Sequence, residues 1–229
     1  MNPTITPQLT PEQIEALSLN GGAHESAQDG HCLLEVVSIF AGESFSDEPT
    51  CVDPVLIKFG QSWNDGLPND GARAQLKRYI PMLPGTAQGE ALSLRRSCMA
   101  FDWLVSTSLP AWLDLSPALA KHAAALRALA PIAGEHDLDC ARQAIDCAER
   151  SAVAAWAAGD AAWAAAWAAA RAAAWDAARV AAQKGQIESG APYGAFRQVM
   201  DEALAPTVLQ LQASAHDLYT AMINAGERQ

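Results

Sequence analysis

Alanine accounts for 49 of the 229 residues, and this abundance constrains the fold more than any other feature of the chain. Half of the residues are hydrophobic but only 7% are aromatic, so the apolar half consists mostly of small side chains. Alanine is the best helix former and is depleted in strands, whose usual β-branched and aromatic residues are sparse here. We therefore expect an all-α protein, in which residues 1–229 form a single-domain helical bundle of about eight or nine helices.

Capping residues and prolines predict where individual helices begin and end. The clearest start is Thr10-Pro11, with Gln13 placed for a capping box, and this helix is expected to reach Leu19. The almost wholly apolar run 31–41 predicts a buried helix. Further helices are expected over 54–66, 70–81, 87–109, which Pro110 would end, 116–130 and, near the C-terminus, on either side of Pro206.

Alanine is densest within the predicted helical segment 137–184, where residues 152–182 alone hold 20 alanines. Apart from Gly159 nothing there interrupts a helix, so the segment is predicted to be one long helix or a hairpin that turns at Gly159-Asp160. Tryptophans and arginines form a stripe along it, which favours either a core or an interface, including one between copies of the chain. The stripe consists of Trp156, Trp163, Trp167, Arg171, Trp175 and Arg179.

Negative charge is concentrated at the N-terminal end, since residues 1–60 hold nine acids and one base of a chain with formal net charge −11. Such a region repels phosphate, so we expect no direct binding of nucleic acid. It indicates either an ordinary acidic surface or one that docks onto a basic patch of a partner protein, for example a nucleic-acid-binding protein. In the second case the expected contacts are Glu43, Asp47, Glu48, Trp163, Trp167, Arg171 and Trp175.

Five cysteines without a CxxC pair, and an N-terminus without a basic and apolar leader, predict a cytoplasmic protein with reduced thiols. The alanine-rich run 161–174 is too weakly hydrophobic to predict a membrane span.

Cys140 and Cys147 are expected in the core. Arg95-Arg96 is expected to be a solvated pair.

One cluster of side chains has the composition of a chemical site, and it surrounds the start of the helix predicted at 31–41. If that helix begins near His31, then Cys32 and Glu35 share a face with it. Zinc accepts nitrogen, sulfur and oxygen ligands, although the spacing matches no familiar zinc pattern. We expect these side chains to pack as part of the structure without a cofactor. The alternative is a zinc site formed by His24, His31, Cys32, Glu35 and Cys51, with Asp47 nearby.

A helix N-terminus would also lower the pKa of the Cys32 thiol and make it a better nucleophile. Asp29-Gly30-His31-Cys32-Leu33 resembles the D-G-x-C-L motif around the nucleophile of OTU-type cysteine proteases. The similarity covers five residues, and no matching C-terminal histidine motif follows. It implies a thiol hydrolase with Cys32 as the nucleophile and its histidine base unassigned. Within the cluster itself, Cys32 and Glu35 are the candidate catalytic residues.

Several further motifs resemble a family of uncharacterised Ala/Trp-rich helical proteins from bacteria and their phages. They include Gly21-Gly22-Ala23-His24, Cys32-Leu-Leu-Glu35, Trp63-Asn64-Asp65 and Phe101-Asp102-Trp103. The resemblance implies no activity or ligand, but makes residues 21–55 the distinctive feature and a phage-associated, host-directed or counter-defence inhibitor the expected role. We thus expect a non-enzymatic interaction protein that self-associates; the alternative is a metal- or thiol-dependent hydrolase centred on Cys32.

Overall fold

Helices are the regular structure of the described chain, which confirms the all-α prediction. The computed structural model describes residues 7–115, 119–133, 137, 141, 143–148, 150 and 191–226, with side chains omitted for 191–203. Within those ranges there is no strand. The chain divides into two compact units, Met1–Ala100 with Asp217–Gln229, and Phe101–His216. The single domain stays a prediction, and the Ala/Trp-rich stretch 152–182 lies outside the described residues.

Helices of 4 to 33 residues follow one another along the described chain. The elements are α1 Pro11–Ala16, α2 Leu33–Ala41, α3 Pro54–Gly66, α4 Asp70–Arg73, a 3-10 turn Ala74–Tyr79, α5 Glu90–Trp103, a π-helical turn Leu104–Ser108, α6 Leu109–Leu113, α7 Ala120–Arg127, α8 Ala191–Ile223 and a 3-10 turn Asn224–Gly226. The last residues of α5 belong to the second unit, and the last residues of α8 return to the first.

The predicted start of α1 is confirmed. The Thr10 hydroxyl accepts the Gln13 N–H at 3.3 Å, while the Gln13 side chain accepts the Thr10 N–H at 2.8 Å. The helix then ends at Ala16, before the predicted end at Leu19. Leu19 is buried outside the helix, so its apolar side chain belongs to the core without extending the helical pattern.

The prediction of a buried helix at 31–41 is confirmed for α2, in which seven of nine residues are buried. The helix begins at Leu33, two residues later than predicted, because Cys32 has an extended backbone and serves as the N-cap. It ends where Gly42 takes a left-handed conformation with φ of 75°. There the Gly42 and Glu43 N–H groups donate to Ile39 and Ser38 carbonyls, which satisfies the last turn.

The core of the first unit closes around Tyr219 near the end of α8. This side chain is fully buried, and its hydroxyl donates to the Leu56 carbonyl oxygen at 3.0 Å. The rings of Phe59 and Tyr79 lie 5.6 and 4.9 Å from its ring centre. A Cβ at Gly60 would lie 2.7 Å from the Tyr219 hydroxyl oxygen, so this close approach requires glycine in α3.

Two prolines predicted to end helices do not end them. The helical path continues from α5 through the π-helical turn, where the Leu109 N–H donates to the Leu104 carbonyl five residues back. Pro110 follows this turn as the second residue of α6, in the first turn of a helix, where proline is tolerated, so α6 continues to Leu113. Pro206 likewise lies inside α8. The predictions of helix ends at Pro110 and Pro206 are therefore wrong.

The prediction for Arg95-Arg96 is half wrong, since Arg95 is exposed but Arg96 is completely buried. Arg96 Nη1 lies 2.8 Å from an Asp53 carboxylate oxygen, which is also fully buried, and donates to the Thr86 carbonyl at 2.7 Å. Its Nε donates to the Met222 carbonyl at 2.8 Å. One buried ion pair therefore joins the start of α3, the middle of α5 and the end of α8.

In the described part of the second unit, the core is built from small and aliphatic side chains. The buried members are Val105, Leu113, Ala123, Leu126, Ile132, Ala141 and Ala148. Asp102 supports it by accepting the Ile132 N–H at 2.8 Å. Cys147 is exposed, so its predicted place in the core is wrong.

We predict that Arg96→Met lowers the free energy of unfolding by about 3–5 kcal/mol, because it leaves the Asp53 carboxylate buried without its counter-charge. Adding Asp53→Asn to that variant should restore part of the loss, since the unpaired charge is then gone. Urea unfolding followed by circular dichroism measures both values. Lys58→Met, which breaks the exposed pair with Glu48, is the control and should leave stability nearly unchanged. A double variant less stable than Arg96→Met would contradict the interpretation.

Candidate functional site: a pocket between two loops

Helix α3 holds two acidic loops side by side, namely loop A (residues 20–31) and loop B (residues 42–53). Gln61 and Asp65 lie four residues apart and therefore point to the same side of α3. Gln61 Nε2 donates to the Asp47 carboxylate of loop B at 2.8 Å, and the Gly22 N–H of loop A donates to the Asp65 carboxylate at 2.8 Å. Both loops are thus positioned by one short stretch of helix.

Loop A is anchored from within by the carboxylate of Glu35, whose side chain is only 1% exposed. Glu35 accepts the backbone N–H of His24 at 2.6 Å, the His24 ring Nδ1 at 2.8 Å and the backbone N–H of Cys32 at 2.6 Å. The His24 ring packs closely against Gly30, because a Cβ added at Gly30 would lie 2.6 Å from the ring Nε2. One buried side chain therefore caps α2 and fixes the loop.

The hydrogen bonds to Glu35 also decide its ionisation. Burial alone would raise the pKa of Glu35, but the hydrogen bonds from Cys32 and His24 outweigh burial and lower that pKa. Glu35 is therefore a carboxylate at neutral pH. Its charge faces three donors, which is the arrangement that makes a buried charge tolerable.

The two ends of loop A are tied together and to α3. The Asn20 N–H donates to the His31 carbonyl at 2.7 Å, which brings the ends of the loop together. Asn64, a fully buried residue of α3, donates to the Asn20 carbonyl at 2.8 Å and accepts the Leu33 N–H at 3.3 Å. Loop A is consequently a compact Ω-type loop with a rigid base.

Loop B is anchored by Glu43 in much the same way. The Glu43 carboxylate accepts the Thr50 N–H at 2.7 Å, the Thr50 hydroxyl at 2.9 Å and the Cys51 N–H at 2.9 Å. Burial again opposes ionisation, but these hydrogen bonds prevail and lower the pKa of Glu43. Each loop therefore closes around one carboxylate that accepts three donors.

A small cavity, the inter-loop pocket, lies where the two loops meet α3. Its volume is about 140 Å³, and it is lined by Gly22, Ala23, Cys32, Asp47, Gln61 and Asp65. A water molecule takes roughly 30 Å³ of liquid, so the space suits a few waters or the head group of one side chain. Its lining includes two acidic residues, Asp47 and Asp65, and one cysteine, Cys32.

The predicted metal ligands are only partly brought together. His24 and Cys32 both reach Glu35, whereas the His31 ring packs edge-on against Phe45, with ring centres 6.3 Å apart. Cys51 lies against Glu43 in loop B. Across the described ranges, no group of three or more His, Cys, Asp and Glu residues could hold a metal ion. Zinc binding stays a prediction.

The prediction of a lowered pKa for the Cys32 thiol is wrong. Burial, together with the negative charge of Glu35 beside it, raises the pKa of Cys32 to about 12. The helix N-terminus does favour the thiolate, but Glu35 already occupies it as the anion. Burial and the neighbouring Glu43 similarly raise the pKa of Cys51 to about 11. Both thiols are therefore protonated and weakly nucleophilic at neutral pH.

The acids predicted to contact a partner have different surroundings. Glu43 is committed to closing loop B, and Glu48 pairs with Lys58 at 2.6 Å. Asp47 lines the inter-loop pocket. The other predicted contacts, Trp163, Trp167, Arg171 and Trp175, lie outside the described residues.

Sequence reasoning missed the contribution of α3 to this site. Gln61, Asn64 and Asp65 entered it only as parts of a helix or of a resemblance. The available signal was a polar cluster on a helix whose other side is apolar, with Asn64 at a position that turns out to be fully buried. A buried amide must be hydrogen-bonded, and here its partners are the ends of loop A.

Comparison with protein-family models, with curated proteins and with solved structures finds no match for the chain. The resemblance to Ala/Trp-rich proteins of bacteria and phages therefore stays a prediction. Among the helices that the structure describes, none combines the length and apolar character needed to cross a bilayer.

We predict that Glu35→Gln lowers the free energy of unfolding at neutral pH by about 1.5–3 kcal/mol, the usual value of hydrogen bonds to a charged group. Because the folded pKa of Glu35 is lowered, its contribution is complete above the ordinary value of 4.5 and is lost as pH falls through the folded pKa. The stability curves of wild type and variant should converge in acid. A constant difference from neutral to acidic pH would contradict this assignment.

We predict that Cys32 and Cys51 are alkylated much more slowly than the exposed Cys147 when the native protein is treated with iodoacetamide at neutral pH. Their raised pKa values leave very little thiolate, and Cys32 is also buried. Peptide mass spectrometry gives the rate at each cysteine, and denatured protein supplies the reference. Preferential labelling of Cys32 would favour the thiol hydrolase instead.

Proposed function

We propose that the protein is a non-enzymatic interaction module that binds a basic surface of another protein through the inter-loop pocket. The observation that carries this proposal is the pocket itself, in which Asp47 and Asp65 line a cavity of about 140 Å³ between two loops whose ends are tied to α3 and to anchoring carboxylates. Loops held by a fixed scaffold are the usual location of binding residues.

The charges around the pocket favour a cationic side chain as its occupant. Within the described residues, the hydrogen bonds to Asp47 and Asp65 come from uncharged groups, from Gln61 for the first and from Gly22 and Asn64 for the second. These hydrogen bonds therefore leave the negative charges of the two carboxylates without a counter-charge. An arginine head group has donors on several sides and is a frequent hot-spot residue of interfaces.

The same proposal extends to the surface around the pocket and to the biological role of the protein. Exposed carboxylates of loop A, Glu25 and Asp29, extend the negative field beyond the pocket and would steer a basic partner such as a nucleic-acid-binding protein. We propose a cytoplasmic, phage-associated inhibitor of a host protein as the biological setting. We also propose that the helices form a bundle and that the Ala/Trp-rich segment 137–184 mediates self-association.

We predict that hepta-arginine peptide binds the protein at low salt and that Asp47→Asn with Asp65→Asn weakens this binding at least about tenfold, since desolvated charge pairs are worth several kcal/mol at interfaces. The asparagine oxygens can still accept the bonds from Gln61 and Gly22, so the geometry is retained while two charges are removed. Fluorescence anisotropy of a labelled peptide measures the affinity, and added salt should weaken it.

The matched control is Glu12→Gln with Glu15→Gln, which removes the same charge from exposed positions on α1. If both double variants lose affinity equally, the peptide responds to net charge and the pocket is not the site. If neither loses affinity, the proposed surface is wrong. Static light scattering tests self-association separately, and a strictly monomeric mass would contradict that part of the proposal.

A further inference from the structure

The middle of loop A is held to the protein in an unusual way. None of the residues between Asn20 and His31 has a buried side chain, so apolar burial does little to fix this segment. A segment with few buried contacts is one that opens at low free-energy cost. Its conformation must therefore be maintained by specific polar contacts.

Those contacts converge on Glu35. Among the described residues, the hydrogen bonds that tie residues 23–29 to the rest of the first unit run from the His24 N–H and the His24 ring to the Glu35 carboxylate. The remaining bonds of the segment are internal, joining Ser26 and Asp29. Release of one carboxylate would consequently release the whole segment.

Glycines stand at both ends of that segment. Gly22 has φ of +84° and Gly30 has φ of +144°, conformations that other residues rarely adopt. At the base of the loop, the Gly22 N–H donates to Asp65 and the Asn20 carbonyl accepts a hydrogen bond from Asn64. The base of the loop therefore stays in place. Hinges of mobile loops are a few residues that absorb changes in φ and ψ beside such fixed points.

We infer that residues 23–29 form a cover that opens and closes about Gly22 and Gly30, with the Glu35 carboxylate as its latch. Ala23 lies in this cover and in the wall of the inter-loop pocket, so opening removes one side of the pocket. The closed cover completes the site, and the open cover dismantles it. That consequence for binding rests on the proposed function, whereas the motion itself does not.

A protease that cleaves on the N-terminal side of aspartate tests the latch directly, because Asp29 lies in the cover and Asp47 lies in loop B. We predict that Glu35→Gln speeds cleavage at Asp29 by about tenfold or more, the change expected on losing a hydrogen bond to a charged group, while cleavage at Asp47 keeps its wild-type rate. The matched variant is Glu43→Gln, which should show the reverse pattern. Mass spectrometry of the fragments gives the rate at each site.

His24→Ala is a second variant that leaves the bond from the Cys32 N–H to Glu35 in place, and with it the start of α2. It should also speed cleavage at Asp29, by less than Glu35→Gln. The inference is overturned if both variants are cut at Asp29 at the wild-type rate, or if Glu35→Gln is cut equally faster at Asp29 and Asp47. The measurement involves no partner, so its failure leaves the proposed function standing and failure of peptide binding leaves the cover standing.

Discussion

The structure of the first unit depends on a charge placed inside its most apolar helix. Glu35 is the only ionisable residue of α2, and it lies in the first turn, where free N–H groups and the helix dipole favour an anion. Its hydrogen bonds to His24 and Cys32 offset the cost of burial. Because the same carboxylate caps the helix and holds loop A, the start of α2 and the wall of the inter-loop pocket cannot be arranged independently.

Other acids of the N-terminal region also make structural contacts within the protein. Asp53 is fully buried against Arg96, and Glu43 closes loop B. A count of acidic residues in 1–60 therefore overstates how much negative charge this region exposes. For the proposed recognition of a basic partner, the positions of individual carboxylates such as Asp47 and Asp65 matter more than a diffuse acidic surface. This is why a pocket, with a defined position for a cation, is a sharper hypothesis than charge alone.

Local signals in the sequence predicted local structure well. The capping box at Thr10 and the burial of α2 depend on residues a few positions apart, and both were predicted. The ion pair between Asp53 and Arg96 joins residues 43 positions apart, and nothing in either local sequence indicates the other. Glu35 is predicted as a candidate site residue, but its hydrogen bonds to His24 depend on the path of loop A. The prediction at Pro110 is wrong because the rule that proline ends a helix takes no account of the π-helical turn at Leu104–Ser108.

The same carboxylate that anchors loop A disfavours nucleophilic chemistry in the pocket. A reactive cysteine at a helix N-terminus needs that position free or needs a cation beside the sulfur. Cys32 instead has the anionic Glu35 next to it, and its thiol pKa is raised. An enzyme built here would have to give up the interaction that shapes its site. The proposed recognition has no such conflict, because it needs only the shape that Glu35 gives to loop A and uses other carboxylates, Asp47 and Asp65, for charge.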